Sequence, residues 1–132
     1  LDGQTPSLVW ENKNMRSQLS GPVLIDGYLY GFDDSELVCL DWKTGETKWS
    51  EKAPRKGSLS AAGDKLIVIG ERGKLFIVEA NPESYKEISS AQVLDELCWS
   101  MPILVDGRIY VRDSEKAQLT SLVCVNVKKT GN

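Results

Sequence analysis

The sequence predicts an all-β fold of about three four-stranded antiparallel blades, a partial or oligomer-completed β-propeller. The first observation is a repeated motif, in which two apolar runs flank a turn of Gly and Asp, in residues 21–30, 61–67 and 101–110. The second is its spacing, because Leu29, Leu66 and Ile109 are 37 and 43 residues apart and one blade takes about 40 residues. The third is the alternation of β-branched or aromatic runs with polar turns. We therefore expect residues 1–132 to form one propeller segment.

Residues 20–51 are predicted to form the first blade. Asp26-Gly27 is a pair that readily adopts the positive φ angles of a two-residue hairpin turn, and polar turns follow at residues 33–36 and 43–46. Four short strands lie between these turns, namely Val23–Ile25, Tyr28–Phe32, Leu37–Asp41 and Thr47–Trp49.

The second blade, residues 56–91, repeats this pattern with a degenerate last strand, because Asn81-Pro82 replaces the Thr-Gly turn of the first blade. Its predicted strands are Leu59–Ala62, Lys65–Gly70, Leu75–Ala80 and a segment around Tyr85–Ile88. The third blade, residues 97–128, is incomplete. Its predicted strands are Ile103–Val105, Arg108–Arg112 and Leu122–Val127, and a longer connection precedes the last of them.

The two ends of the chain complement each other. The third unit stops after the turn residues that precede a fourth strand, and no tryptophan strand follows. Near the other end, Ser7-Leu8-Val9-Trp10-Glu11 has the form of the strand that contains Trp49. We therefore predict that residues 7–13 supply an outer strand that completes the last blade, which would also remove an exposed sheet edge.

Composition narrows the classes of function. A formal charge of −3 gives no electrostatic reason to expect nucleic acid, and no apolar run approaches the ~20 residues that cross a bilayer. The chain has no histidine, which excludes Ser-His-Asp and Cys-His catalytic units and removes the commonest transition-metal ligand. Cys39 and Cys124 occupy equivalent strand positions, so we expect both side chains in the core.

The segment Leu40–Trp49, LDWKTGETKW, resembles the tryptophan-docking motif Asp-x-x-Thr-Gly-x-x-x-Trp of pyrroloquinoline-quinone-like (PQQ-like) β-propeller repeats. This family includes quinoprotein alcohol dehydrogenases and the scaffold lipoprotein of the bacterial outer-membrane β-barrel assembly machinery. The resemblance extends over essentially the whole chain, but the complete motif occurs once. It implies that Trp49 and Trp10 pack between neighbouring blades and that Thr44 and Gly45 shape the preceding turn.

The residues that hold a quinone in the dehydrogenases of this family have no counterparts here. Those enzymes use a calcium ion with carboxylate and amide ligands, and commonly a disulfide of adjacent cysteines. This chain has no adjacent cysteines, and its predicted first strands are apolar and lack hard oxygen ligands for Ca²⁺. We therefore predict no cofactor, no metal and no catalytic residues. A fragment or degenerate relative of a PQQ-dependent alcohol or sugar dehydrogenase stays open as the alternative.

Candidate partner-binding residues lie in the loops that join the second to the third strands and one blade to the next. Arg72 and Arg112 are the first candidates, because arginine is enriched at protein interfaces. Asp113 and Glu115 lie in the long loop of the third unit, and loop insertions collect on the binding face of repeat proteins. Trp99 precedes an inner strand. We expect its side chain either to line the mouth of the central channel of the propeller or to pack between blades.

These observations favour a non-enzymatic scaffold or protein-binding module whose partner the sequence does not name. Three blades expose apolar faces at both ends, so we expect self-association, most simply two chains in one ring, or the remainder of a longer propeller. The resemblance implies a periplasmic or otherwise extracytoplasmic location in a bacterium.

Overall fold

The structure is a computed structural model that describes residues 3, 5–114 and 120–128. These residues form eleven strands and three antiparallel sheets. The strands are β1 (Val23–Ile25), β2 (Tyr28–Asp33), β3 (Glu36–Asp41), β4 (Thr47–Glu51), β5 (Gly57–Ala62), β6 (Lys65–Gly70), β7 (Lys74–Glu79), β8 (Lys86–Gln92), β9 (Ile103–Val105), β10 (Arg108–Arg112) and β11 (Leu122–Asn126).

Each sheet is a meander, in which neighbouring strands in sequence are neighbours in space. The orders are β1-β2-β3-β4 in blade 1, β5-β6-β7-β8 in blade 2 and β9-β10-β11 in blade 3. The predicted fold class, all-β with propeller blades, is confirmed.

The hairpin turns between the first two strands have the predicted chemistry. Asp26 and Gly27 have φ angles of 48° and 82°, and Asp106 and Gly107 have φ angles of 47° and 70°. Two consecutive positive φ angles define the type I′ turn, whose twist matches that of antiparallel strands. The turn fixes the register, so that Ile25 pairs with Tyr28.

Blade 2 is the centre of the core because both of its faces are buried. Successive side chains of a strand point to opposite faces, so alternate residues of β6 contact different neighbours. One cluster joins the face of Leu66 and Val68 to Tyr30 and Cys39 of blade 1. A second cluster joins the opposite face of blade 2 to blade 3, with Ile67, Ile69, Leu75, Ile109 and Val111 as buried members.

The fourth strand of blade 2 differs from the prediction. The sequence suggested a strand around residues 85–88, whereas β8 runs from Lys86 to Gln92 and pairs with β7 along its whole length. Residues 89–92, Ser-Ser-Ala-Gln, contain no β-branched or aromatic side chain. Their strand conformation therefore comes from backbone pairing with β7, which side-chain propensity does not report.

The expectation that Cys124 is a core residue is wrong for this chain, whereas Cys39 is buried as expected. The two are equivalent, since Cys39 pairs with Tyr30 and Cys124 pairs with Tyr110. Cys39 faces blade 2, but Cys124 lies on the face of blade 3 that points away from blade 2 and is exposed. We call this surface the far face of blade 3.

The segment predicted as a completing strand lies outside the three sheets of the described residues. Within residues 3, 5–114 and 120–128, residues 7–13 pair with no strand, and Leu8 and Val9 are exposed. Blade 3 has three strands in the described part of the chain, with β11 at one edge of the sheet. Completion of blade 3 by residues 7–13 therefore stays a prediction about contacts beyond this chain.

Across residues 3, 5–114 and 120–128, no helix has the length and apolar character needed to span a bilayer.

Candidate functional site

Trp49 joins blade 1 to blade 2. It lies on β4, and its indole N–H donates a hydrogen bond of 2.7 Å to the carbonyl of Asn81, in the turn after β7. The indole ring lies between Tyr30 and Tyr85, with centroids 6.0 Å from each. Edge-on and tilted aromatic contacts at this distance stabilise the structure by more than the burial of their apolar area alone. Trp49 is half-buried, so the hydrogen bond satisfies a donor that packing removes from water.

Trp10 makes the same kind of contact with blade 1. Its indole N–H donates a hydrogen bond of 3.0 Å to the carbonyl of Trp42, in the turn after β3. Donor and acceptor are 32 residues apart both here and in the bond from Trp49 to Asn81. We call Trp10 and Trp49 the docking tryptophans. Residues 7–11 therefore stand, relative to blade 1, where β4 stands relative to blade 2.

The turn that receives Trp10 is organised by Asp41, Thr44 and Gly45. The Asp41 carboxylate accepts hydrogen bonds from the backbone N–H groups of Lys43 and Thr44, at 2.8 and 3.0 Å. The Thr44 hydroxyl accepts one from the N–H of Glu46, at 3.2 Å. The hydrogen bonds from Thr44 and Lys43 favour the charged carboxylate and lower the pKa of Asp41.

Gly45 is required at this turn for two reasons. Its φ of +72° lies in the left-handed region that other residues rarely adopt. A Cβ at Gly45 would also lie 3.0 Å from a ring carbon of Trp10 and would collide with the Asn12 side chain. The absence of a side chain therefore makes room for the docking tryptophan.

Two asparagines that the sequence analysis did not single out hold the same turn. The side-chain amides of Asn12 and Asn14 both donate to the carbonyl of Gly45, at 2.9 and 3.0 Å. The sequence contained a signal, because two asparagines lie two and four residues after Trp10. The sequence alone did not show which carbonyl they reach.

Arg16 and Asp33 form a second link between the segment before β1 and blade 1. The Arg16 guanidinium donates to both carboxylate oxygens, at 2.7 and 3.0 Å, and the backbone N–H of Arg16 donates to the same carboxylate at 3.0 Å. Bidentate pairs of this kind are stronger than single hydrogen bonds. The guanidinium lowers the pKa of the Asp33 carboxyl below its ordinary value.

The predicted partner-binding residues lie in loops that touch one another. The backbone N–H of Cys98 donates to the carbonyl of Glu71 at 2.9 Å, and the N–H of Ser114 donates to the carbonyl of Leu97 at 2.7 Å. Backbone hydrogen bonds therefore join the described residues of the loops β6–β7, β8–β9 and β10–β11, and we call these residues the loop surface.

Four of the five candidates are described, and they occupy different settings on the loop surface. Arg72 is exposed and lines a cleft of about 260 Å³ that also contains Arg55. Trp99 is 48% exposed, next to Ser100, whose hydroxyl accepts a hydrogen bond from Arg112 at 3.3 Å. Arg112 itself is exposed.

Asp113 is buried, whereas Glu115 is outside the described part of the chain. Asp113 is 4% exposed, and its carboxylate accepts a hydrogen bond of 2.6 Å from the backbone N–H of Ser121. Asp113 therefore stabilises its own loop through this hydrogen bond. Glu115 lies outside the described residues, so its role as a partner contact stays a prediction.

The buried thiols do not form a reactive centre. Burial raises the pKa of Cys39 to about 11 and the pKa of Cys98 to about 11. At neutral pH both side chains are protonated thiols, whereas nucleophilic attack requires the thiolate. Within the described ranges, no group of three or more His, Cys, Asp or Glu side chains is placed to hold a metal ion.

The comparisons with known proteins support the fold. The sequence matches no protein-family model and no curated protein. Among solved structures, the chain is similar to the crystal structure of BamB from Moraxella catarrhalis, with a TM-score of 0.52 and 18% sequence identity. The similarity covers 86% of this chain and 46% of that chain, so this chain spans less than half of the neighbour. At this identity the likeness shows a β-propeller-like fold and not a function.

We predict that Gly45→Ala lowers the free energy of unfolding by about 1–3 kcal/mol, because alanine is strained at positive φ and its methyl group displaces Trp10. Chemical denaturation measures the change. Gly21→Ala is the control, since Gly21 has no neighbour within 4 Å of a Cβ, and it should change stability by less than about 0.5 kcal/mol. Equal effects of the two substitutions would contradict the docking role of the turn.

We also predict that Asp33→Asn lowers the melting temperature more at pH 7 than in acid. The pKa of Asp33 is lowered in the folded state, so its contribution is present above the ordinary pKa of about 3.9 and is lost as the pH falls through the folded value. Thermal melts between pH 7 and pH 3 test this. In an Arg16→Ala background the same substitution should show a weaker pH dependence, because only the backbone N–H of residue 16 still donates to the carboxylate. An undiminished dependence there would rule out the guanidinium as its main cause.

Proposed function

We propose that this chain is a segment of a β-propeller that acts as a non-enzymatic scaffold or binding module for proteins. One observation carries the proposal: the far face of blade 3 exposes large apolar side chains, although their counterparts on blade 1 are covered. Ile103, Val105 and Leu122 are 59%, 56% and 70% exposed. Large exposed apolar side chains on one sheet face, with Arg108 and Arg112 among them, mark a protein interaction site.

The counterpart surface on blade 1 indicates what covers the far face. By strand register, Val23, Ile25 and Leu37 correspond to Ile103, Val105 and Leu122. The blade 1 residues pack against blade 2 in the first core cluster. A blade is therefore the occupant that fits the far face, either from a second copy of this chain or from the remainder of a longer propeller.

The segment before blade 1 is the natural complement of β11. Residues 7–11 carry a docking tryptophan in the position of a fourth strand, but they pair with no sheet in the described residues. We infer that this segment completes blade 3 of the neighbouring copy, or of the neighbouring part of a longer ring. Such pairing would give hydrogen-bond partners both to the free edge of β11 and to the backbone of residues 7–11.

The loop surface is the proposed site for other proteins, because loops held by a rigid repeat scaffold present a broad recognition face. Arg72, Arg112 and Trp99 are its proposed anchors, since arginine and tryptophan dominate interface energetics. The resemblance to PQQ-like repeats, which include the outer-membrane assembly scaffold, and the likeness in fold to BamB support a location in the bacterial envelope.

We predict that the chain self-associates in a concentration-dependent manner and that Leu122→Glu makes it monomeric, because the substitution replaces an exposed apolar side chain of the far face with a charged one. Size-exclusion chromatography with light scattering measures the mass. Ser84→Glu is the control, since Ser84 is exposed in the turn before β8, and this variant should still associate. A stable monodisperse monomer of the unmodified chain would rule out a second copy as the occupant of the far face.

A further inference from the structure

A cleft of about 470 Å³ opens between blade 2 and blade 3, beside β8. Its inner walls are Ile67, Ile77 and Ile109, and its exposed rim is Ile88, Leu104 and Val127. This volume lies in the range of about 300–1,000 Å³ that is usual for ligand sites, and such sites are mainly apolar with few polar groups. The apolar lining therefore fits a hydrophobic side chain or a small aromatic molecule.

The strand register identifies the cleft as an unfilled docking site. In blade 1, Trp49 pairs with Cys39, and a register shift follows Cys39. In blade 2, Ser89 pairs with Ile77, and the same shift follows Ile77. Ser89 is thus the structural counterpart of Trp49, and it lines the cleft. The repeat places a serine where the preceding blade places an indole.

The turn after β11 in blade 3 is the counterpart of the turns whose backbone carbonyls accept the indole hydrogen bonds. The backbone N–H of Val127 donates to the carbonyl of Gly107 at 2.9 Å, as the N–H of Trp42 donates to the carbonyl of Gly27 at 3.3 Å. Val127 is therefore equivalent to Trp42, whose carbonyl accepts the hydrogen bond from Trp10. In blade 2 the acceptor, Asn81, lies one residue further along the same turn, so an indole N–H in the cleft would find its partner at Val127 or Lys128.

We propose that this cleft binds a tryptophan side chain presented by a protein partner. The indole would occupy the volume above Ser89, pack on Ile77 and donate its N–H to the turn that begins at Val127. A buried indole needs both an apolar surface and an acceptor for its N–H, and the cleft offers both. The inference rests on the proposed binding function, because it takes the partner to be a protein. It adds the chemistry by which that partner is recognised, an indole side chain.

The first test is a titration with a blocked Gly-Trp-Gly tripeptide, followed by the backbone amide resonances of the ¹⁵N-labelled chain. We expect saturable shifts at Ile77, Ser89 and Val127, with a dissociation constant in the millimolar range because the probe is small. Gly-Ala-Gly should cause none. A peptide with 1-methyltryptophan should bind about 2- to 10-fold more weakly, because it lacks the N–H donor.

The second test fills the site from within. Ser89→Trp should raise the melting temperature, protect the new indole N–H from exchange and abolish the shifts caused by the tripeptide. Ser50→Trp is the matched control, because Ser50 is exposed on β4 and its side chain points away from the Trp49 side of the sheet. That variant should leave the melting temperature and the tripeptide shifts unchanged.

Two outcomes would overturn the inference. One is the absence of saturable shifts at the cleft of the unmodified chain, which does not depend on any variant folding. The other is a Ser89→Trp chain whose new indole N–H exchanges as fast as that of Ser50→Trp. Repeating the titration on the Leu122→Glu chain separates the two proposals, because that substitution removes the far-face contact and leaves the cleft intact.

Discussion

The structure depends on one interaction, the docking of an indole onto the turn that follows the third strand of a blade. Trp10 and Trp49 both make this contact, each with a hydrogen bond to a backbone carbonyl. A single blade is a small sheet that cannot bury both of its faces. The indole links the outer edges of neighbouring blades, where the apolar cores between them end, and so fixes the position of one blade on the next.

The alternation of side chains along each strand explains why burial differs among the three blades. Blade 2 has a neighbour on each side, so Leu66 and Ile67, adjacent in sequence and opposite in direction, are both buried. Blade 3 has a neighbour on one side, so Ile109 is buried while Cys124 is exposed. The exposed apolar residues are therefore a direct consequence of the repeat, because the same pattern that buries one face leaves the other in need of a partner.

The parts of the fold that local chemistry determines could be predicted from the sequence. The Asp-Gly turns at residues 26–27 and 106–107 set the hairpins, and the boundaries of β1, β6, β9 and β10 agree with those expected. Local propensity did not report the length of β8, because Ser89 to Gln92 are held by pairing with β7. The contacts of Asn12 and Asn14 with Gly45 also escaped prediction, since they join residues more than 30 positions apart. Register across strands, which a sequence shows only indirectly, was needed to equate Ser89 with Trp49.

The four tryptophans of the chain provide the most direct test of blade docking, because in the described residues two of them donate to a neighbouring turn and the other two are exposed. Hydrogen exchange of the indole N–H groups, followed by ¹⁵N NMR, measures how each one is held. The N–H groups of Trp10 and Trp49 should exchange slowly because each donates to a backbone carbonyl, and those of the exposed Trp42 and Trp99 should exchange rapidly. Equal exchange rates for all four indoles would contradict the account of how the blades are joined.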